Sequence, residues 1–424
     1  MLQIAVLREQ TEQVIAGLLR KNYKNAEQEI ATILDLDQRR RSLQAEHDEV
    51  QARANALARE IGSLMKTGDK AGAEVLKAET ANLKNQAKQF AEELTSLELN
   101  LQTAIVKLPN TPHASVPAGK SAEDNEVVLQ HGNLPDLPPS ALPHWELIKK
   151  YDIIDFELGN KITGAGFPVY KNKGARLQRA LINFFLEEAI KAGYTEIQPP
   201  ILVNEASGYG TGQLPDKDGQ MYHATADNYY LIPTAEVPIT NLYRDEIIAR
   251  EQLPIKNAGY TPCFRREAGS WGADVRGLNR LHQFDKVEIV QIQEPEKSYQ
   301  TLEEMSQHIQ GLLQKLELPY RVLRLCGGDL GFTSALTYDM EVYSAAQKRW
   351  LEVSSCSNFE TYQANRLKLR YKGENGKTQL LHTLNGSALA LPRIVAAILE
   401  NNQSAAGIKL PAVLHPYCGF DIIN

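Results

Sequence analysis

The chain has 424 residues, 43% hydrophobic and 23% charged, an ordinary globular composition long enough for two or three domains with a buried core. A formal net charge of −6 excludes a protein that coats nucleic acid through bulk basicity, while leaving room for a local basic patch. Charges enter "MLQIAVLREQTEQ" too early for a signal peptide, no apolar run approaches the length of a membrane span, and cytoplasmic residence is the expectation.

From about Ala26 to Leu108 there is no proline, and alanine, glutamate, glutamine, lysine and leucine dominate. Apolar residues recur every seven positions as Leu36, Leu43, Val50, Leu57 and Leu64, then as Leu76, Leu83, Phe90 and Leu97 after "KTGDKAG". Two heptad runs joined by a short glycine-containing turn predict an antiparallel helical hairpin. At about 34 residues per helix the arm would reach roughly 50 Å. The three prolines of "LPNTPHASVP" end it, so residues 1–110 form one expected domain and 111–424 the other. Residues 53–88 hold seven basic and four acidic side chains, with Lys70, Lys77 and Lys84 seven apart and Lys88 one turn on. Such a stripe suits a phosphate backbone, whereas a lysine stripe is more often just a solvated face.

Beyond the linker, "GARLQRALINFFLEEAIKAGYTEIQPPILV" reads as an amphipathic helix stopped at Gly193, then a strand interrupted by Pro199 and Pro200. "SYQTLEEMSQHIQGLLQKLELP" predicts a second helix. "TYDMEVYSAAQKRWLEVSS" predicts a hairpin turning at Ala345–Lys348, and "ALALPRIVAAILENN" an apolar helix. Strands in runs with helices set apart describe an α+β body, an antiparallel sheet backed by helices. No GxGxxG or GxxxxGKS loop is present. Cys263, Cys326, Cys356 and Cys418 are far apart with no CxxC pair, so neither disulfides nor zinc are expected.

The stretch "CFRREAGSWGADVRGLNRLHQFDKVEIVQI" begins and ends like β-strand, yet carries Arg265, Arg266 and Glu267 side by side and Arg276 on a glycine-punctuated loop. On a strand, Arg265 and Glu267 would share a face and Arg266 would point away. Arginines that bind phosphate through paired hydrogen bonds, with Phe284 as a flat surface, suit ATP. A surface hairpin laced with salt bridges would use the same residues. His282 reads as a hydrogen-bonded sheet residue and Cys356 as a packed thiol.

The same stretch resembles the second signature motif of class II aminoacyl-tRNA synthetases, in the form used by seryl-tRNA synthetases. "GYTEIQPP" is similar to the dimer-forming first motif, "NGSALALPRIVAAILEN" to the third, "IPTAEVPITNLYRDEII" to the serine-binding loop, and the arm to the tRNA-binding coiled coil. The match is colinear over nearly the whole chain. It implies a tRNA-binding coiled-coil arm followed by a class II synthetase catalytic domain, an antiparallel sheet flanked by helices. The implied activity is ATP-dependent serine activation and transfer to tRNA(Ser) by a homodimer, with tRNA(Sec) a candidate second acceptor.

The resemblance also implies residue roles. Arg265, Arg276 and Arg393 would be the catalytic cations. Arg265, Arg266, Glu267, Phe284, Glu352, Val353, Ser354, Ser355 and Arg393 would bind ATP, with Phe284 and Arg393 sandwiching the adenine. Glu352 and Ser355 would hold Mg²⁺. Thr234, Ala235, Glu236, Arg265, Glu288, Asn385 and Ser387 would bind serine. Arg53, Lys70, Lys77, Lys84 and Lys88 would meet tRNA. Leu391 and Pro392 precede Arg393, where many relatives carry glycine; proline is tolerated in a first helical turn. Two other classes share these motifs: a scaffold on an inactive synthetase core, and an enzyme loading another amino acid or a carrier protein.

Overall fold

A computed structural model describes residues 1–216, 219–268, 276–373 and 376–424, and its contacts divide the chain into two compact units. One comprises Leu2–Leu19 and Tyr23–Pro109; the other comprises Met1, Arg20–Asn22 and Asn110–Asn424.

The first unit is helical: α1 (Ile4–Glu9), α2 (Thr11–Arg20), α3 (Ala26–Thr67) and α4 (Lys70–Ile105). The two long helices lie antiparallel. They are joined at Gly68, whose φ of 87° terminates α3, and at Asp69, whose side chain accepts from the Gly72 N–H at 2.9 Å to cap α4. Their lengths, 42 and 36 residues, exceed the 34 expected from the heptads. The extra turns of α3 precede Leu36, where Ala26, Ile30 and Ile33, four and three apart, are buried alongside Leu7, Val14 and Leu18. Farther out, Leu43, Leu94 and Leu97 form a seam flanked by Leu36 and Phe90. Toward the tip Val50, Leu57, Leu64, Leu76 and Leu83 are only half-buried, as two helices without a third allow.

The second unit is built on an eight-stranded sheet. Its strands are β1 (Glu126–His131), β2 (Thr195–Glu196), β3 (Ile255–Phe264), β4 (Gln283–Gln293), β5 (Tyr320–Arg324), β6 (Leu336–Ser344), β7 (Arg349–Asn358) and β8 (His382–Ala390), in the order β1-β5-β6-β7-β8-β4-β3-β2. All neighbours are antiparallel except β2 and β3. Helices α5 (Asn172–Lys191), α7 (Ser298–Lys315) and α9 (Leu391–Asn401) supply the core, with the short α6 (Glu236–Asn241) and α8 (Thr361–Leu367) beside them. Alternation along β4 divides its roles. Val287 and Ile289 join Leu177, Leu181, Phe184 and Phe185 of α5 and Met305 and Ile309 of α7 in the main core. Phe284, Lys286 and Glu288 face the other way.

Several sequence expectations change here. The strand that was to carry Arg265, Arg266 and Glu267 stops at Phe264. Only the Arg265 N–H continues the ladder, donating to the His282 carbonyl at 2.9 Å, and Glu267 has a φ of 51°. The strand ends too early for its alternation to set these side chains, yet Arg265 and Glu267 still line one cavity while Arg266 is exposed outside it. The "TEIQPPILV" segment is split by its prolines: Thr195–Glu196 joins the large sheet, whereas Leu202–Val203 pairs with Tyr229–Leu231 in a separate one. Strands β1 and β5 were not anticipated. Pro392 occupies the first turn of α9, which starts at Leu391, three residues later than the quoted apolar stretch, because Ala388–Ala390 still belong to β8.

Candidate active site

The central strands open onto a cavity of about 600 Å³. Strand β4 contributes Phe284, Lys286 and Glu288, β7 contributes Glu352, Val353, Ser354, Ser355 and Ser357, and β8 contributes Asn385 and Ser387. Arg265 and Glu267 reach it from the end of β3, Thr234 and Glu236 from the entry to α6, and Arg393 from the first turn of α9. Thirteen expected residues that lie far apart in sequence thus line one space.

The deep end is acidic and tightly bonded. Glu288 is 1% exposed, and the Lys286 ammonium lies 2.6 Å from its carboxylate. Lys286 also donates to the Thr234 hydroxyl at 2.9 Å, and that hydroxyl donates to Glu288 at 3.3 Å. Glu288 faces Ser387 across the β4–β8 ladder. Glu236 is buried close by and accepts from Gln363 of α8 at 2.6 Å, while the Gln363 carbonyl accepts from Thr383 at 2.7 Å. Burial, and next the charge of Glu288, push the Glu236 carboxyl up to about 7. A buried pair of carboxylates with a single ammonium is short of one positive charge. A ligand ammonium would supply it.

The outer end carries the guanidiniums. Arg265 lies over the Phe284 ring at 5.2 Å and donates to the Pro233 carbonyl at 3.3 Å. Arg393 donates to the carbonyls of Asn279 at 3.0 Å and Glu352 at 2.6 Å, with the Glu352 carboxylate at 3.8 Å. Glu267 pairs with Arg280. Behind Ser355, Asp339 faces it across the β6–β7 ladder, and its Oδ1 is buried without a hydrogen-bond partner. Burial and the neighbouring Glu352 hold the Asp339 carboxyl well above its ordinary range.

Three expected residues lie outside this lining. Ala235 is fully buried before α6, packed with Ile239 and Val290. Arg266 is exposed, its backbone N–H bonded to the Gln220 carbonyl at 2.9 Å. Arg276 stacks on Trp145 at 4.8 Å and pairs with Glu146 at 3.8 Å, 62% exposed. The glycine-punctuated loop before it, at 269–275, falls outside the described residues. His282 is hydrogen-bonded, its Nδ1 2.7 Å from the Tyr222 hydroxyl, and Cys356 is buried. Lys286 and Gln363 were missed. Two-residue alternation between Phe284 and Glu288 was the signal available for Lys286; nothing local marks Gln363.

On the arm, Arg53, Lys70, Lys77, Lys84 and Lys88 are all exposed. Arg53 pairs with Glu79 at 2.5 Å, Lys77 with Glu74 at 2.5 Å and Lys88 with Glu92 at 4.0 Å. Among the described residues, no group of three or more His, Cys, Asp and Glu side chains is placed to hold a metal, and no helix is long and apolar enough to cross a membrane.

Comparison with known proteins agrees over both units. Residues 1–112 match the seryl-tRNA synthetase N-terminal domain, and residues 221–402 match the tRNA synthetase class II core domain (G, H, P, S and T). The serine–tRNA ligase of Salinibacter ruber is 51% identical over 393 residues, covering 92% of each chain. The crystal structure of seryl-tRNA synthetase from Pyrococcus horikoshii complexed with ATP superposes with a TM-score of 0.93 at 32% identity, covering 100% of this chain and 99% of that one. The cytoplasmic serine–tRNA ligase of Naegleria fowleri in complex with AMP gives 0.88 at 26% identity, with the same coverage. The chain belongs to the seryl-tRNA synthetase family of class II aminoacyl-tRNA ligases.

Proposed function

We propose that the cavity joins L-serine to ATP, forming seryl-adenylate and pyrophosphate, and passes the seryl group to the 3′ end of tRNA(Ser). The observation that carries this reading is the acidic pocket of Thr234, Glu236, Lys286 and Glu288 opening into the same space as Arg265 and Arg393. The serine ammonium sits against Glu236, and its hydroxyl donates to Glu288. Its carboxylate, directed toward Arg265, attacks the α-phosphorus in line, and pyrophosphate leaves. The ribose hydroxyl of tRNA then attacks the acyl carbon and AMP leaves. No side-chain nucleophile is required; alignment and charge neutralisation lower the barrier.

Arg265 and Arg393 are the cations in contact with nucleotide, and Phe284, Glu267 and the β7 segment Glu352–Ser355 frame it. Arg276, stacked on Trp145, reaches the outer phosphates only by leaving that ring. The hard oxygen donors of Glu352 and Ser355, with the unpartnered Asp339 oxygen behind them, suit Mg²⁺. When bound, the ion neutralises phosphate charge. Selectivity against alanine follows from the seryl hydroxyl's bond to Glu288, a charge-assisted hydrogen bond worth about 1.5–3 kcal/mol, since Lys286 and Thr234 still partner the carboxylate when that bond is missing. Threonine adds one methyl, worth about 1–3 kcal/mol, and must be excluded sterically.

Residues 1–110 act as the tRNA-gripping domain and 111–424 as the catalytic domain of a cytoplasmic homodimer. Support for a second copy is a concavity of about 500 Å³ along α5, lined by Gln178, Arg179, Ile182, Leu186 and Asp285. Serine-dependent ATP–pyrophosphate exchange, then charging of tRNA(Ser), tests the reading. Glu288→Ala should lose serine-dependent exchange while still binding ATP; unchanged exchange would overturn the serine assignment.

A further inference from the structure

One wall of the cavity, Leu278 to Arg280 in the turn that begins at Arg276, is held from behind by a buried network that the adenylation chemistry does not consume. The helix His144–Lys150 presents three consecutive residues to this turn. The His144 ring is fully buried, and its Nε2 accepts the Leu278 N–H at 2.8 Å. Its ring proton is therefore on Nδ1, which donates to Glu400 at 2.6 Å, and the His144 backbone N–H donates to the same oxygen at 2.9 Å. Trp145 and Glu146 take the Arg276 guanidinium. Gly277 lies so close that a Cβ there would fall 2.3 Å from His144 Nε2, and its φ of 64° is one that glycine adopts without strain.

Glu400 is as buried as His144 and belongs to α9, two turns beyond Arg393. Burial works to raise its carboxyl, but hydrogen bonds from His144 and Ser344 outweigh that and leave it below its ordinary range. It also accepts from Gln347 at 3.0 Å, and Gln347 in turn accepts from the Asn279 amide at 3.1 Å. The Asn279 carbonyl receives Arg393 at 3.0 Å. The chain of contacts thus leaves α9 at Glu400, passes through His144 and Gln347 to the turn, and returns to α9 at Arg393.

We propose that His144, held by Glu400, is a positioning residue that sets the 276–279 turn, and through Asn279 the Arg393 guanidinium, for nucleotide binding. This rests on the cavity being the nucleotide site. A buried, fixed histidine that accepts a backbone N–H removes one freedom from the turn at every cycle, so the turn meets ATP already shaped.

The test uses the full chain and two substitutions. His144→Asn keeps a donor toward Glu400 and loses the reach to Leu278; His144→Gln puts a carbonyl oxygen where Nε2 was. In serine-dependent exchange, His144→Asn should raise the KM for ATP about ten-fold with the KM for serine little changed, and His144→Gln should recover most of it. Gln347→Ala, at a half-buried position that tolerates truncation, should raise the KM for ATP by about three-fold and serves if His144 variants fold poorly. Arg393→Ala is the control. If it leaves the KM for ATP unchanged, the nucleotide site itself is misread. If it raises that KM while His144→Asn and Gln347→Ala do not, only the positioning role falls. Equal behaviour of the Asn and Gln variants, or parallel loss for ATP and serine, would also overturn it.

Discussion

Raising the pH from 6 to 8 should tighten serine binding about ten-fold, and the reason lies in Glu236. Its carboxyl titrates near 7, pushed there by burial and by Glu288, while Gln363, Lys286 and Asn385 pull in the opposite direction without offsetting them. An unfolded chain would release that proton near 4.5, its ordinary value. The empty folded protein therefore holds the proton longer, and its stability from this group falls as pH rises from 4.5 to 7, by about 3 kcal/mol in all. Serine reverses the preference, because its ammonium stabilises the carboxylate. At pH 6 about one molecule in ten carries the ionised form, so apparent affinity drops by that fraction. The KM for serine in pyrophosphate exchange, followed from pH 5.5 to 8.5 with saturating ATP, reads this directly. Calorimetry in buffers of different ionisation enthalpy should show a proton released on serine binding below pH 7. A flat profile, or the same slope in Glu236→Gln, would refute the reasoning.

Lys286→Met strands the Glu288 carboxylate, 1% exposed, without the ammonium 2.6 Å away; urea denaturation should show a loss of about 3–5 kcal/mol, and adding Glu288→Gln should restore at least half. Unchanged stability in the single variant would mean the pair is not coupled in solution. Deleting residues 30–105 should preserve serine-dependent exchange and abolish tRNA charging, whereas undiminished tRNA affinity would remove the arm from recognition. Glu352→Gln should raise the Mg²⁺ concentration at which ATP binding becomes tight, measured by titrating Mg²⁺ against ATP and protein; an unshifted midpoint would place the ion elsewhere.

The arm was legible because its signal is local. Leu43, Leu94 and Leu97 meet in the seam that a seven-residue rhythm requires, and Gly68–Asp69 supply the turn. Its base was not counted, although Ala26, Ile30 and Ile33 keep the four-and-three spacing, because the seven-residue run of large apolar side chains was read only from Leu36 onward. In the sheet, β6 and β7 were readable from a four-residue turn between apolar runs. Strand β1 was not, with every residue exposed at the sheet edge and no buried face to impose alternation. Arg265, Glu288 and Arg393 were found through a colinear resemblance, and their convergence on one cavity is a tertiary fact that no local pattern encodes. Arg276 shows the limit in the other direction: its neighbours in sequence suggest a phosphate clamp, but Trp145 supplies a ring that holds it outside the lining. Lys286 was missed because an ammonium beside a glutamate on a strand looks like a surface pair until both prove buried.

A crystal of the full chain with a non-hydrolysable seryl-adenylate mimic tests the central claim most directly. The seryl hydroxyl is expected within hydrogen-bond reach of Glu288, the ammonium against Glu236, the phosphate replacement beside Arg265 and the adenine between Phe284 and Arg393. A mimic bound away from Glu288 and Glu236, or with its base outside the cavity that Arg265 and Arg393 share, would contradict it.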